Sequence, residues 1–303
     1  MTAVHTDVTK RHDAVLLFDV TDGNPNGDPD AGNLPRVDPE TMQGLVTDVA
    51  IKRKVRDYVD TTRGRDDRFK IYVQDKGISL NELHARAYTA IGVKSTGVKQ
   101  NRDDVNLARS WMCDNFYDVR TFGAVMSTGT NAGQVRGPIQ ITFSRSIDQV
   151  TPLDLSITRV AITKDEDAKV VVGDDGSGTG GKTTEMGRKT LVPYGLYLGK
   201  IFFSPQQAAD TGFSDEDLTL FWEALERMWD FDRSASRGMM ACRGIAVFTH
   251  ENQYGNAPAH RLIDRVTAKK RDTVIAPRTF ADYDVTIADG DLPDGVTLTR
   301  LGF

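Results

Sequence analysis

DAVLLFDVT, residues 13–21, decides how the rest of the chain is read. It is a short run of apolar and β-branched residues, the mark of a buried strand. A long loop rich in Gly, Pro, Asn and Asp follows at 22–40. Residues 41–59, TMQGLVTDVAIKRKVRDYV, then read as a helix. Its apolar residues lie on more than one side, so it is expected to pack against a sheet and a further element.

Working outward, Ser79-Leu80-Asn81-Glu82 has capping-box spacing and opens a second helix running to about Ile91. A third helix is expected over 103–118, where Val105, Ala108, Trp111 and Met112 recur at helical spacing. Strands are expected at 120–126, 138–147, 156–163 and 194–203. Ser214 caps an amphipathic helix that carries Leu218, Phe221, Trp222, Leu225 and Trp229. A further strand, RGIAVFTH, occupies 243–250. With 60–119 and 164–190 treated as insertions, the order is strand, helix, two strands or strand pairs, helix, strand. That is an α+β fold on the β-α-β-β-α-β plan of ferredoxin-like and RNA-recognition-motif domains.

The composition fits a soluble globular protein: 303 residues, 39% apolar and 27% charged. Cys113 and Cys242 are the only cysteines. They supply neither a disulfide framework nor a C-x-x-C metal site, which suits a reducing cytoplasm. No signal layout opens the chain, and no apolar run approaches a membrane span, so no membrane partner is expected. The formal net charge of −5 argues weakly against nucleic-acid binding. The charge is uneven, however. Arg261, Arg265, Lys269, Lys270 and Arg271 cluster against Asp264, and the tail carries Asp282, Asp284, Asp289, Asp291 and Asp294 against Arg300. Local field, not total charge, sets binding.

Two short motifs compete for attention. GSGTGGKT, 176–183, fits the phosphate-loop pattern. A working phosphate loop needs a helix after it to hold the phosphates. Here KTTEMGRKTLVPYG follows, with Gly187, Pro193 and no apolar period, so nucleotide hydrolysis through Lys182 is disfavoured. DGNPNGDPDAGN, 22–33, begins like a calcium loop, but its twelfth residue is Asn33 where a bidentate Glu is needed. It reads as a rigid turn-rich connection. No metal or cofactor is expected. Trp222 and Trp229 are expected in the core, and His84, His250 and His260 pair with no nearby nucleophile.

Six stretches together resemble one known family: residues 18–59, 122–147 (FGAVMSTGTNAGQVRGPIQITFSRSI), 156–163, 185–197 (EMGRKTLVPYGLY), 225–251 (LERMWDFDRSASRGMMACRGIAVFTHE) and 255–262 (GNAPAHRL). They are similar to the backbone subunit of type I-C Cascade, the Cas-seven family of the repeat-associated mysterious protein (RAMP) superfamily. The resemblance implies an RNA-recognition-motif-like palm over about 13–60, 120–150 and 194–303. It implies helical fingers inserted at 61–119 and an extended thumb at 151–193. It further implies copies that stack along a crRNA while base pairing reads the target DNA. Expected partners are crRNA, target DNA, further copies, a pre-crRNA-processing subunit, large and small subunits, and a recruited helicase-nuclease. No catalysis is expected.

The resemblance also implies which residues meet RNA. Lys52 and Arg53 on the first helix are expected to contact phosphates, with Gln43, Thr47 and Lys54 as neighbours. In the loop 131–140, Gln134 and Arg136 are expected to reach phosphate or ribose. In the thumb, Met186 is an apolar wedge flanked by Arg188 and Lys189. Arg237 and Arg243 are expected to serve RNA or a neighbouring subunit. The alternative within the superfamily is a metal-dependent endoribonuclease using an aspartate of the first loop, among Asp22, Asp28, Asp30 and Asp38.

Overall fold

The structure, a computed structural model, describes residues 3–97, 99–164, 171–172, 178–179 and 184–303. β1 (His12–Gly23) leads into a small hairpin of β2 (Gly27–Asp28) and β3 (Leu34–Pro35), then β4 (Gln43–Val46) and α1 (Asp48–Arg63). Three helices follow, α2 (Leu80–Ala90), α3 (Arg102–Asn115) and α4 (Tyr117–Phe122). Next come β5 (Gly123–Val125), β6 (Gln134–Arg136), β7 (Ile139–Ile141), β8 (Ser144–Gln149) and β9 (Leu153–Arg159). The short pair β10 (Val171–Val172) and β11 (Gly178–Thr179) precedes the long β12 (Glu185–Phe203). α5 (Pro205–Thr211), α6 (Asp215–Phe231), β13 (Met239–His250), α7 (Ala259–Ile263), β14 (Val266–Lys270), β15 (Tyr283–Ile287) and β16 (Val296–Leu301) complete the chain.

A central antiparallel sheet runs β16-β13-β1-β12-β8-β4, with β7 and β9 also paired to β12. β1 sits between β12 and β13, with Leu16 opposite Gly199 on one side and Ile245 on the other. Alternation along a strand sends successive side chains to opposite faces. Ala14, Leu16, Phe18 and Val20 meet Ile51 and Val55 of α1 and Phe221 and Trp229 of α6 in the largest core cluster. Phe18 stacks between Trp229 at 4.9 Å and Tyr197 at 5.3 Å. Val15 and Leu17 face the other way, against Phe248, Leu262 and Val266. Asp13 and Asp19 lie on that second face and are fully buried.

A smaller core of Leu83, Ala87, Tyr88, Ala108 and Met112 joins α2 and α3. It is tied to α6 by a salt bridge between two side chains of zero exposure, Arg120 and Asp217, at 2.6 Å. Asp217 also completes a capping box with Ser214. Buried charges need this degree of pairing to survive removal from water.

The structure corrects several expected boundaries. The helix expected from residue 41 begins at Asp48: Gln43–Val46 is a strand paired with β8, and the Thr47 hydroxyl accepts from the Ala50 N–H as the cap. The strand expected at 120–126 is helical through Phe122. Asp118 there accepts from the N–H groups of Tyr72 and Val73, and Gly123 at φ +82° ends the helix. The strand expected at 138–147 is two strands, β7 and β8, and that at 156–163 lies at Leu153–Arg159. β12 starts nine residues before Tyr194, at Glu185, because its first half pairs with β9 away from the core. Most of GSGTGGKT lies outside the described residues, and the reading of Lys182 falls there too. No helix of the described residues is long and apolar enough to cross a membrane.

Candidate nucleic-acid interface

The three consecutive cations of α1 go three ways, because each residue turns about 100° around a helix. Lys52 lies beside the Phe122 ring, its Nζ 2.8 Å from Asp48, with its side chain 15% exposed. Arg53 points outward, 43% exposed, and bonds Asp57 at 2.9 Å and Asp75 at 2.7 Å. Lys54 turns inward, 8% exposed, with Nζ 2.8 Å from Asp232. Burial lowers the Lys54 pKa against the pull of Asp232. Lys54 therefore ties α1 to the end of α6 and offers no surface charge, unlike the neighbour role expected of it. Thr47 is likewise committed. Besides capping α1, it donates its N–H to Asn26 Oδ1 at 2.9 Å. Gln43 Nε2 donates to the Ser146 carbonyl at 2.8 Å, pinning β4 to β8.

β9 and the first half of β12 form an exposed two-stranded ribbon with Met186 opposite Thr158 and Arg188 opposite Ser156. Alternation puts Met186, Arg188, Thr190, Thr158, Ser156 and Asp154 on one face. Leu153, Leu155, Ile157, Lys189 and Leu191 share the other. Met186 is 76% exposed and packs into no core cluster. Arg188 Nη1 lies 3.3 Å from Asp154.

At the ribbon's root three distant segments meet. A cleft of about 430 Å3 is lined by Gly32, Asn33, Asp154, Arg188, Lys189 and Ser236. The asparagines of the first loop are its joints. Asn24 Nδ2 donates to the Asn33 carbonyl at 2.7 Å, and Thr190 Oγ1 donates to the same oxygen at 3.0 Å. The Asn24 N–H donates to the Ser236 carbonyl at 2.8 Å. Gly238, at φ +58°, lies so close to the carbonyls of Thr21 and Asp22 that a side chain has no room. Sequence reading treated these residues only as turn formers. The Asn and Gly spacing alone does not say which distant segments they join.

Arg237 Nε reaches the same Asp232 as Lys54, at 3.1 Å. Arg243 bonds Asp19 at 2.8 Å and lies over the Phe280 ring. Burial raises the Asp19 pKa, opposed by Arg243 and Tyr194. Arg243 therefore belongs to the buried second face of the sheet, away from the ribbon-root cleft. Gln134 and Arg136 are exposed on β6. Two cations of the basic stretch 261–271 reach the tail: Arg271 bonds Asp284 at 2.9 Å, and Arg265 donates to the Ala288, Gly290 and Asp291 carbonyls, while Lys269 pairs locally with Asp272 at 3.2 Å.

The first-loop acids are dispersed in their bonding. Asp28 accepts from Asp30 N–H at 3.2 Å and lies 3.3 Å from Arg36. The Arg145 guanidinium holds the Asp38 carboxyl below its usual pKa. Asp22 adopts φ +48° at the end of β1. Among the described residues no three His, Cys, Asp or Glu side chains gather as a metal site would need. What the surface offers is a set of guanidinium and ammonium groups held by exposed carboxylates. Such pairs are worth about 0–1 kcal/mol each, so a phosphate can displace the carboxylate partner.

The family model described as CRISPR-associated protein Cas7 matches residues 10–288. A curated relative, the CRISPR-associated protein Cas7 of Haloferax volcanii, is 27% identical over 240 residues, covering 71% of this chain. The chain spans 64% of that relative's length. Among solved structures, a chain of a pre-nicking CRISPR RNA-guided surveillance complex overlays with TM-score 0.47 at 12% identity, over 78% of each chain. A chain of a CRISPR RNA-guided surveillance complex gives 0.42 at 13% identity, over 78% of this chain and 68% of its own. A chain of the type III-B Cmr-beta complex bound to cognate target RNA gives 0.38 at 12% identity, over 78% and 61%.

Proposed function

This chain belongs to the CRISPR-associated Cas7 family, and from that premise we propose that it is a crRNA-binding backbone subunit of a type I-C Cascade. On this reading copies polymerise along the guide, hold its phosphates and present its bases to target DNA in the cytoplasm, without catalysis of their own. The neighbouring subunits are the pre-crRNA-processing, large and small subunits, and a helicase-nuclease does the cutting. Residues 61–119 are the fingers, 151–193 the thumb, and the remainder an RNA-recognition-motif-like palm.

The observation that carries the reading is the convergence at one cleft of three stretches that also carry the family resemblance. They are the first loop, the ribbon root at 188–190 and the turn at Ser236. The core strand order β13-β1-β12-β8, with α1 and α6 on one face, supports a palm of this kind. An RNA-recognition motif usually stacks bases on its open sheet face. Here α7, β14 and β15 cover that face, which moves RNA contact to loops and helix ends. Arg53 and Arg188, in exposed pairs, are the cations best placed to exchange a carboxylate for a phosphate.

The test is the 260/280 nm absorbance ratio of the protein expressed alone, before and after ribonuclease, with gel filtration. A high ratio that falls on digestion, with large particles, is expected. A clean protein ratio from a monomer that also ignores added RNA overturns the proposal.

A further inference from the structure

Among the described residues neither Arg136 nor Arg109 of α3 has a carboxylate partner, although both are exposed. The two line one cavity of about 520 Å3, together with Gln134, Gln207 and a single acid, Asp210. They come from separate elements, and the packing that joins them is specific. β6 pairs with β5, Arg136 opposite Gly123, and Val135 between its neighbours packs on the core that includes Ala108 and Met112 of α3. The turn before β6 passes through Gly133, whose φ of +81° favours glycine, with the side chains of Val105 and Arg109 packed beside it.

Arg136 is also oriented. With the Gln207 amide placed to satisfy both its ends, its oxygen accepts from Arg136 Nε at 2.9 Å and its nitrogen donates to the Gly137 carbonyl at 2.7 Å. The Nε edge of the guanidinium is thereby fixed while the terminal nitrogens stay free. Arg136 and Gln207 also line an adjoining cavity of about 460 Å3, so the two spaces share a wall. A guanidinium fork held in advance loses little freedom on binding and matches a phosphate's oxygens two at a time.

We propose that Arg109 and Arg136, with Gln134 and Gln207 as amide partners, form a backbone-phosphate site for single-stranded nucleic acid. This site rests on the proposed function and extends it to α3 and α5, elements to which sequence reading gave no binding role. Its ligand is the phosphodiester backbone, since two guanidinium groups and two amides supply charge and hydrogen bonds but no stacking platform. The Cys113 thiol beside it takes no part: burial raises its pKa to about 11.

The test is fluorescence anisotropy of a labelled single-stranded RNA with the full chain over a series of salt concentrations. Arg109→Gln and Arg136→Gln are expected to weaken binding several-fold. Each is expected to lower the slope of log affinity against log salt by about 0.7. Arg109→Lys, which keeps the charge, should retain the slope. Arg300→Gln on β16 should change neither. If the wild type binds RNA and Arg109→Gln keeps full affinity and slope, the site is overturned while the proposed function stands. If Arg109→Gln spares RNA binding but abolishes self-association, the surface belongs to protein contact and the proposal is likewise overturned. A wild type that binds no RNA defeats both.

Discussion

On one side of β1, Ala14, Leu16, Phe18 and Val20 are buried by the apolar faces of α1 and α6. On the other, Asp13 and Asp19 bracket Val15 and Leu17 beneath α7, β14 and β15. Asp13 accepts from His250 Nε2 at 3.0 Å and pairs with Arg11 at 3.1 Å. Asp19 accepts from Tyr194 at 2.9 Å and from Arg243 at 2.8 Å. The first face is held by shape and water exclusion. The second adds buried charge that is tolerable only because each carboxylate finds donors. The second layer thus closes the sheet face and leaves the loops and helix ends as the exposed polar surface.

The largest expected effect breaks the helix face. Phe18→Ala removes a ring stacked between Trp229 and Tyr197 and should cost about 3–5 kcal/mol, read as a lower urea midpoint at unchanged slope. A loss under about 1 kcal/mol would mean that α1 and α6 pack on the sheet less tightly than their contacts indicate.

The next concerns the polar start of β1. His12 is buried, its Nε2 donating to the Asp7 carbonyl at 2.9 Å and its Nδ1 accepting from Thr249. Burial lowers its pKa from 6.5 to about 4. The unfolded chain therefore takes up a proton first. Stability from this group is complete above pH 6.5 and falls as pH drops toward 4, by at most about 3 kcal/mol. Thermal melts across that window should show the fall in the wild type and a flatter profile in His12→Gln. Equal slopes would assign the acid sensitivity elsewhere.

A smaller effect probes the joint between β1 and the turn at Ser236. Gly238→Ala places a Cβ against the Thr21 and Asp22 carbonyls at a positive φ, and should cost about 1–2 kcal/mol in denaturant titration. An unchanged midpoint would show that the turn relaxes away from β1 freely. The smallest is Arg188→Ala on the ribbon. Its exposed pair with Asp154 predicts a stability change under about 0.5 kcal/mol, with RNA affinity lowered several-fold. A marked loss of melting temperature would recast the ribbon as part of the fold's support.

The same asymmetry explains what the sequence disclosed. The helix face was legible because a short apolar run marks β1 and a period of 3.6 marks Leu218, Phe221 and Leu225 in α6. Ser214 and Ser79 marked helix starts through side chains that do cap. β4 escaped notice because four residues carry no period, and α4 because its helix is fixed by distant partners of Asp118 and Arg120. The covering layer from Ala259 to Ile287 read as a charged stretch, since the partners of its cations, Asp284 for Arg271 and the Asp291 carbonyl for Arg265, lie well along the chain. Lys54 looked like its neighbours in KRK, and only Asp232 reveals that it turns inward. Arg109 was passed over because its helix was read for apolar positions alone.

The central claim is that RNA meets loops and helix ends, the ribbon root foremost, and not the covered sheet face. Photocrosslinking of the full chain to 4-thiouridine RNA, with the adducts mapped by mass spectrometry, tests it most directly. Adducts within the first loop, residues 186–190 and the turn at 234–238 are the predicted result. Adducts concentrated on β14 and β15, with none at the ribbon root, would contradict it.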